Sequence, residues 1–295
     1  MGTVPQGPGD SSVQQASPTL ARLMLGKALR RLREAADVSR EAAGHGIRGS
    51  ESKISRLELG RTGFKTRDVD DLCTLYGVTD QVERGTLLDM AQAANSNEWW
   101  HSYRDVIPGW FEPYLGLEQA ASVIRSYEPL FVPGLLQTPD YARTVIKSGY
   151  GSSPTLEIER RVELRMRRQR ILLSPQPAHL WTLIDEGALH RPVGGRGTMS
   201  AQLRHLLAAC DLSHVTLQVM SFRRGGYAAG GAFTVVRLPD TELPDAAYLE
   251  HLGAAIYPDK PADLDYYRHW MNLLTIQAEE ASATPEILHR LLSET

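Results

Sequence analysis

The side chains with the most definite chemistry stand between Ser39 and Gly60. Ser39 and Ser50 each occupy the position of a helix N-cap, and Gly60 that of a helix stop. Two short helices and a tight turn through Gly46 to Gly49 therefore fit within about 20 residues, the geometry of a helix-turn-helix. On the second helix Ile54 and Leu57, three apart, face inward and leave Ser52, Ser55 and Arg56 on the opposite side, with Glu51 at its edge. Those groups can read base edges in a major groove. Arg56 can fork onto guanine, Glu51 can accept from cytosine N4, and the serines serve either role. Arg40 and Lys53 are better placed for phosphate.

The charge distribution fits that reading. The 295 residues carry a net charge of −3, which conceals a strong division. Leu20 to Arg67 holds twelve Lys and Arg against five Asp and Glu, a balance of +7, whereas Asp68 to Thr295 comes to −9. A small basic module ahead of a larger acidic one is the pattern of a nucleic-acid-binding head on a regulatory body.

Catalytic signals are missing from the sequence. It has no H-E-x-x-H, P-loop, G-x-S-x-G or EF-hand pattern. Cys73 and Cys210 are too few for a disulfide framework and lack C-x-x-C spacing, and Cys210, His214 and His205 lack further ligands for a metal. Glu250 and His251 are adjacent in an expected strand and so face opposite ways. The turn Gly194 to Gly197 is a lone glycine-rich loop. The expectation is a protein that is not an enzyme, with no cofactor and no metal. No apolar run reaches the roughly 18 residues of a spanning helix, and Met1 to Pro18 has neither a basic start nor an apolar core, so a cytoplasmic protein without membrane contact is expected.

The elements that must position these groups follow from periodicity. Residues 1–18 are rich in Pro, Gly, Ser and Gln and read as a disordered leader. Residues 19–97 read as five helices, near Leu25–Ala36, Arg40–His45, Glu51–Leu59, Thr66–Tyr76 and Asp80–Ala94. Residues 98–115 form an aromatic connector, with Trp99, Trp100, Tyr103 and Trp110 as ligand-binding or interdomain candidates. Residues 116–295 mix helices (Glu118–Arg125, Asp140–Lys147, Leu156–Leu173, Thr198–Ala209, Ala262–Glu280, Pro285–Leu292) with strands near His179–Ile184, His214–Phe222, Ala232–Leu238 and Ala247–Ile256. The fold class is mainly α with an α+β second domain whose sheet is expected to be largely antiparallel. In the arginine-rich helix, Arg160 to Arg170 is read as a solvated face balanced by Glu157, Glu159 and Glu163.

The run SREAAGHGIRGSESKISRLELGR, from Ser39 to Arg61, resembles the XRE-type helix-turn-helix domain of phage repressors and bacterial regulators, a lambda-repressor-like five-helix fold. The resemblance implies that Arg40 opens the first motif helix and contacts phosphate, that Glu51, Ser52 and Arg56 meet base edges, and that Arg33 and Glu58 form a buried structural ion pair. It departs from the pattern at the turn, where Arg48 and Gly49 stand in place of Gly and an apolar residue. The segments from Trp99 to Ala142, which include EPLFVPGLLQTPDYA, and the segment RVELRMRRQRIL resemble the C-terminal domain of actinobacterial XRE-type regulators described as antitoxin-like. That resemblance implies a small partner protein encoded in a neighbouring gene.

The expectation is thus a sequence-specific transcription regulator that binds double-stranded DNA. One recognition helix reads only a few base pairs, so a homodimer on a pseudo-palindrome is expected. Two alternatives stand beside it: a small-molecule sensor using the aromatic segment, and a protein-interaction module with secondary DNA binding.

Overall fold

The computed structural model describes residues 17–151, 153–224, 230–258 and 260–294, and the expected leader lies outside them up to residue 16. Its last two residues, Ser17 and Pro18, are already structure. Ser17 Oγ accepts from Leu20 N at 3.2 Å, and Pro18 opens the first helix, where its missing N–H costs nothing and its fixed φ is already helical. The chain divides into two units. The first runs through Trp99 and takes in Asp240–Leu243; the second comprises Trp100–Pro239 and Pro244–Thr295.

The first unit is a bundle of five helices: α1 (Pro18–Ala35), α2 (Arg40–Gly46), α3 (Glu51–Glu58), α4 (Thr66–Leu75) and α5 (Gln81–Ala94). Side-chain caps start three of the remaining four. Ser39 Oγ accepts from Ala42 N at 3.0 Å, Ser50 Oγ from Lys53 N at 3.2 Å and Asp80 Oδ1 from Val82 N at 2.9 Å, each satisfying an otherwise orphan donor. Leu25, Leu29, Ile47, Ile54, Leu57, Phe64 and Leu72 fill the centre.

Two glycines set how closely these helices pack. A Cβ on Gly26 would lie 2.5 Å from the Leu57 carbonyl oxygen, so α1 and α3 meet backbone to backbone. A Cβ on Gly44 would lie 2.8 Å from the Ser50 carbonyl carbon, which fixes the crossing of α2 and α3. Between these two helices the chain reverses through Arg48 at φ 53°, with Gly49 N bonded to Gly44 O at 2.8 Å and Arg48 N to His45 O at 3.0 Å. This is a Schellman closure whose left-handed position usually falls to glycine. Arg48 is where the sequence departs from the resembling family, and the turn keeps its geometry by straining that residue.

The second unit is built on a sheet. Its helices are α6 (Glu112–Ala120), α7 (Pro139–Gly149), α8 (Thr155–Arg168), α9 (Glu186–His190), α10 (Arg196–Cys210), α11 (Pro261–Gln277) and α12 (Thr284–Glu294). Its strands are β1 (Val123–Glu128), β2 (His179–Asp185), β3 (Val215–Met220), β4 (Phe233–Arg237), β5 (Ala246–His251) and β6 (Ala254–Ile256), in the spatial order β3-β2-β1-β4-β5-β6. The helix expected over Glu118–Arg125 is in fact two elements, since α6 stops at Ala120 and β1 starts at Val123. Ile124 and Tyr127 are both buried, on opposite faces, so this central strand lacks the alternation that marks a half-exposed one. The strand expected over Ala247–Ile256 folds back at Leu252 and Gly253 into the β5–β6 hairpin, a two-residue loop.

The sheet is mixed. β1–β4, β4–β5 and β5–β6 pair antiparallel, while β1–β2 and β2–β3 pair parallel, because α7 and α8 carry the chain over from β1 to β2 and α9 and α10 from β2 to β3. One face, with Ile124, Leu180 and Ile184, packs on Tyr141 of α7, Leu203 and Leu206 of α10 and Leu288 of α12. The other, with Tyr127, Leu183, Phe233 and Val235, packs on Met271 and Leu274 of α11.

Two substitutions should shift stability in opposite directions. Gly26→Ala should destabilise the first unit by about 1–3 kcal/mol, because backbone cannot move aside as a side chain can. Arg48→Gly should stabilise it by about 1 kcal/mol by removing the left-handed penalty. Thermal unfolding of both variants beside the wild type measures the two signs.

Candidate nucleic-acid interface

The helix-turn-helix is held together by one buried carboxylate. Glu58, in the last turn of α3, is buried, and Arg33 of α1 reaches it with Nε at 2.5 Å from Oε1 and NH2 at 3.2 Å from Oε2. Arg33 NH1 donates to Val38 O at 2.9 Å in the loop ahead of α2. Arg40, the first residue of α2, donates Nε to Glu58 Oε2 at 3.1 Å. The hydrogen bond to Glu58, ahead of any burial effect, raises the pKa of Arg33 further above the arginine range. One buried group thus ties α1, the start of α2 and the end of α3 together, and removing one partner of such a pair costs about 3–5 kcal/mol.

On α3 the two sides separate cleanly. Ile54 and Leu57 are buried, Glu51, Ser52 and Arg56 are exposed, and Ser55 is partly buried. Ser50 caps the helix at the end where Glu51 and Ser52 stand, so the face is presented with its first-turn amides directed outward. The two groups expected at phosphate are both engaged within the protein. Arg40 holds Glu58, and Lys53 Nζ lies 2.5 Å from Oδ2 of the buried Asp68, pinning α3 to α4. Each keeps donors to spare: Arg40 gives only Nε to Glu58, and Lys53 gives one of three N–H groups to Asp68. The motif does not assign a role to the exposed cations Arg48 in the turn and Lys65 and Arg67 at the start of α4, of which Arg67 lies 3.9 Å from both Asp68 and Asp71. The excess of Lys and Arg over Leu20 to Arg67 was the signal that could have found them.

Two of the four aromatic candidates, Trp100 and Tyr103, are buried, and Trp99 and Trp110 are partly so. Trp99 lies at the end of the first unit and is partly buried, whereas Trp100 and Tyr103 in the second are 2% and 4% exposed. Tyr103 donates its hydroxyl to Glu163 at 2.7 Å, and the Arg160 guanidinium covers its ring at 5.4 Å. Trp110 meets Phe111 edge-on at 5.9 Å, and its carbonyl accepts from Tyr257. Part of the α8 face is not solvated as expected. Arg161 does pair with Glu157 at 2.7 Å, but Arg160 reaches Asp105, and Arg168 is buried in a two-pronged bond to Glu118 at 2.8 and 2.7 Å. A guanidinium with that partner pays for its own burial, which helical spacing on α8 alone does not reveal.

The two segments singled out in the second domain lock onto each other. Gln169 Nε2 donates to the carbonyls of Gly134 and Gln137 at 3.0 and 2.8 Å, and Arg165 NH1 donates to Gln137 Oε1 at 2.8 Å. Tyr141 Oη accepts from Val132 N at 3.1 Å. Beside this network Glu128, at the end of β1, is partly buried. Burial first, and the charge of Glu250 second, push its carboxyl up to about 8.

Among the described residues no group of three or more His, Cys, Asp or Glu could hold a metal ion, and no helix is long and apolar enough to cross a membrane.

Residues 111–290 match a family model described as a domain of unknown function, DUF5753, and residues 24–87 match one described as a helix-turn-helix domain. The second match runs from α1 into α5 and contains α3; the first begins just ahead of α6 and ends in α12. No curated protein and no solved structure matches the chain.

Glu128 gives a pH dependence. Its folded pKa lies above the ordinary 4.5, so the proton it holds favours the folded state most at low pH, and that contribution is lost as pH rises toward about 8. Glu128→Gln should therefore match the wild type in melting temperature near pH 4.5 and exceed it increasingly up to pH 9.

Proposed function

The chain belongs to the DUF5753 family and carries a helix-turn-helix domain ahead of that domain, and from this premise we propose a sequence-specific transcription regulator that binds a pseudo-palindromic operator as a homodimer. The observation that carries this reading is the exposed face of α3, where Glu51, Ser52 and Arg56 project from a helix whose other side is locked into the bundle by Ile54, Leu57 and Glu58. In this reading Arg56 takes guanine, Glu51 takes cytosine N4, and Ser52 and Ser55 adjust to either base. Arg40 and Lys53 take flanking phosphates with the donors that Glu58 and Asp68 leave over. Arg48, Lys65 and Arg67 add sequence-independent attraction. The two-fold arrangement rests on the small number of base pairs one such helix spans.

A second reading concerns the DUF5753 domain: it binds a small partner protein encoded nearby, as in a toxin–antitoxin-like pair. The β5–β6 hairpin favours it. This hairpin ends the sheet, its tip residue Leu252 is fully exposed and Ile256 is half exposed, an apolar pair at a strand edge of the kind that another chain covers. Leu252→Asp together with Ile256→Asp should abolish co-purification with the neighbouring gene product; retention of the complex would remove the hairpin from the interface.

For the DNA reading, binding to the protein's own promoter should separate the two kinds of contact. Arg56→Ala should cost about 1–3 kcal/mol on the preferred site and relax selectivity at one base pair, whereas Arg40→Ala should weaken all sequences alike. Competition binding against single-base operator variants measures both. An identical, uniform loss from the two substitutions refutes the assignment of roles.

A further inference from the structure

The α11 face of the sheet contains a cavity of about 100 Å³, several times the space one water needs. Val123 and Val235 line it on one side, and the three arginines Arg125, Arg237 and Arg268 line it together with Asn272 and the single acidic residue Asp245. The register of β1 on β4, with Val123 opposite Arg237 and Arg125 opposite Val235, places these side chains on one face.

Asp245 accounts for two of the three cations. It accepts from Arg237 Nε and NH2 at 3.1 and 3.2 Å and stands 3.5 Å from Arg268 Nε. Arg125 differs from both. Its terminal nitrogens donate to neutral oxygens, Asn272 Oδ1 at 2.7 Å and Thr275 Oγ1 at 3.0 Å, and its Nε is buried with no hydrogen-bond partner. Among the described residues no carboxylate forms an ion pair with it, and its guanidinium lies 4.9 Å over the Trp181 ring. Burial, and then the charge of Arg237, push its pKa below the usual arginine range. A partly buried cation beside a like charge, with only the more distant attraction of Asp245 and no carboxylate bonded to it, is an unfavourable arrangement that an incoming anion relieves.

We propose that this cavity binds the carboxylate or phosphate group of a small molecule, with Arg125 as the principal ligand and Arg237 and Arg268 flanking it. The volume suits one oxyanion head group, and the side lined by Val123 and Val235 suits a short carbon chain behind it. The site lies wholly in the second unit and stands independently of the DNA-binding reading.

The test titrates the full-length protein with inorganic phosphate and, separately, with malonate, with ionic strength held constant by chloride. Melting temperature and tryptophan fluorescence are followed together, the latter because Trp181 lies under the Arg125 guanidinium. At least one anion should give a saturable response that chloride does not, and the responding anion identifies the phosphate or the carboxylate class. Arg125→Gln should weaken that response about tenfold or more, the loss expected for a charge-assisted contact, and should not lower the melting temperature in the absence of anion. Arg170→Gln, at an exposed arginine after α8, should leave it unchanged. If Arg125→Gln fails to fold, Arg268→Gln carries the test and should weaken binding at least about threefold. A response no different from chloride's, or one that the folded Arg125 or Arg268 variant retains in full, overturns the proposal.

Discussion

The placement of α3 depends on the buried carboxylate of Glu58. It is the last residue of α3, and it holds one arginine from the body of α1 and one from the head of α2. Helices of seven and eight residues are too short to be stable alone in water, so α2 and α3 exist because the bundle holds them. Apolar contacts through Ile47, Ile54 and Leu57 supply attraction without direction. The Arg33–Glu58–Arg40 triad supplies direction, since forked guanidinium bonds form in only a narrow range of orientations. Gly26 and Gly44 complete the constraint by letting the backbones meet. The exposed face of α3 is what remains once its other sides have been fixed in this way.

The second unit solves a different problem with similar means. Its central strand is covered on both faces, and the polar groups that must enter its interior are matched in pairs: Arg168 with Glu118, Arg165 with Gln137, and Ser126 with Thr182 at 2.8 Å. Glu128, on one side of the sheet, is pushed toward its neutral form by burial, and Arg125, on the other, bonds only neutral oxygens and keeps a buried Nε without a partner. They sit three residues apart on β1 and so face opposite ways, one acidic and one basic. In a domain this thoroughly paired, such groups are where a ligand or a proton has something to gain.

Much of the first unit was legible in the sequence, because its boundaries are written in local chemistry. Ser39, Ser50 and Asp80 cap helices at the positions their side chains indicate, and Gly60 ends α3. What was not legible depends on distant residues. That Lys53 would turn to Asp68 follows from the approach of α4, fifteen positions on. In the second unit the 3.6-residue pattern ran on from α6 into β1, because a strand buried on both faces has no alternation of its own. The parallel half of the sheet followed from long crossovers through α7 to α10, which strand patterns alone do not reveal. The strain at Arg48 lay in plain view as a departure from the resembling family, but its φ is a property of the folded turn.

Reading of DNA by α3 is tested by binding of the full-length protein to its own promoter and to random DNA across a range of salt, beside the Glu51, Ser52, Arg56 triple alanine variant. The wild type should lose affinity steeply with salt and clearly prefer the promoter, and the variant should still fold and bind weakly while losing that preference. Equal binding of wild type and variant to both DNAs, or no binding by either, would contradict that role for α3.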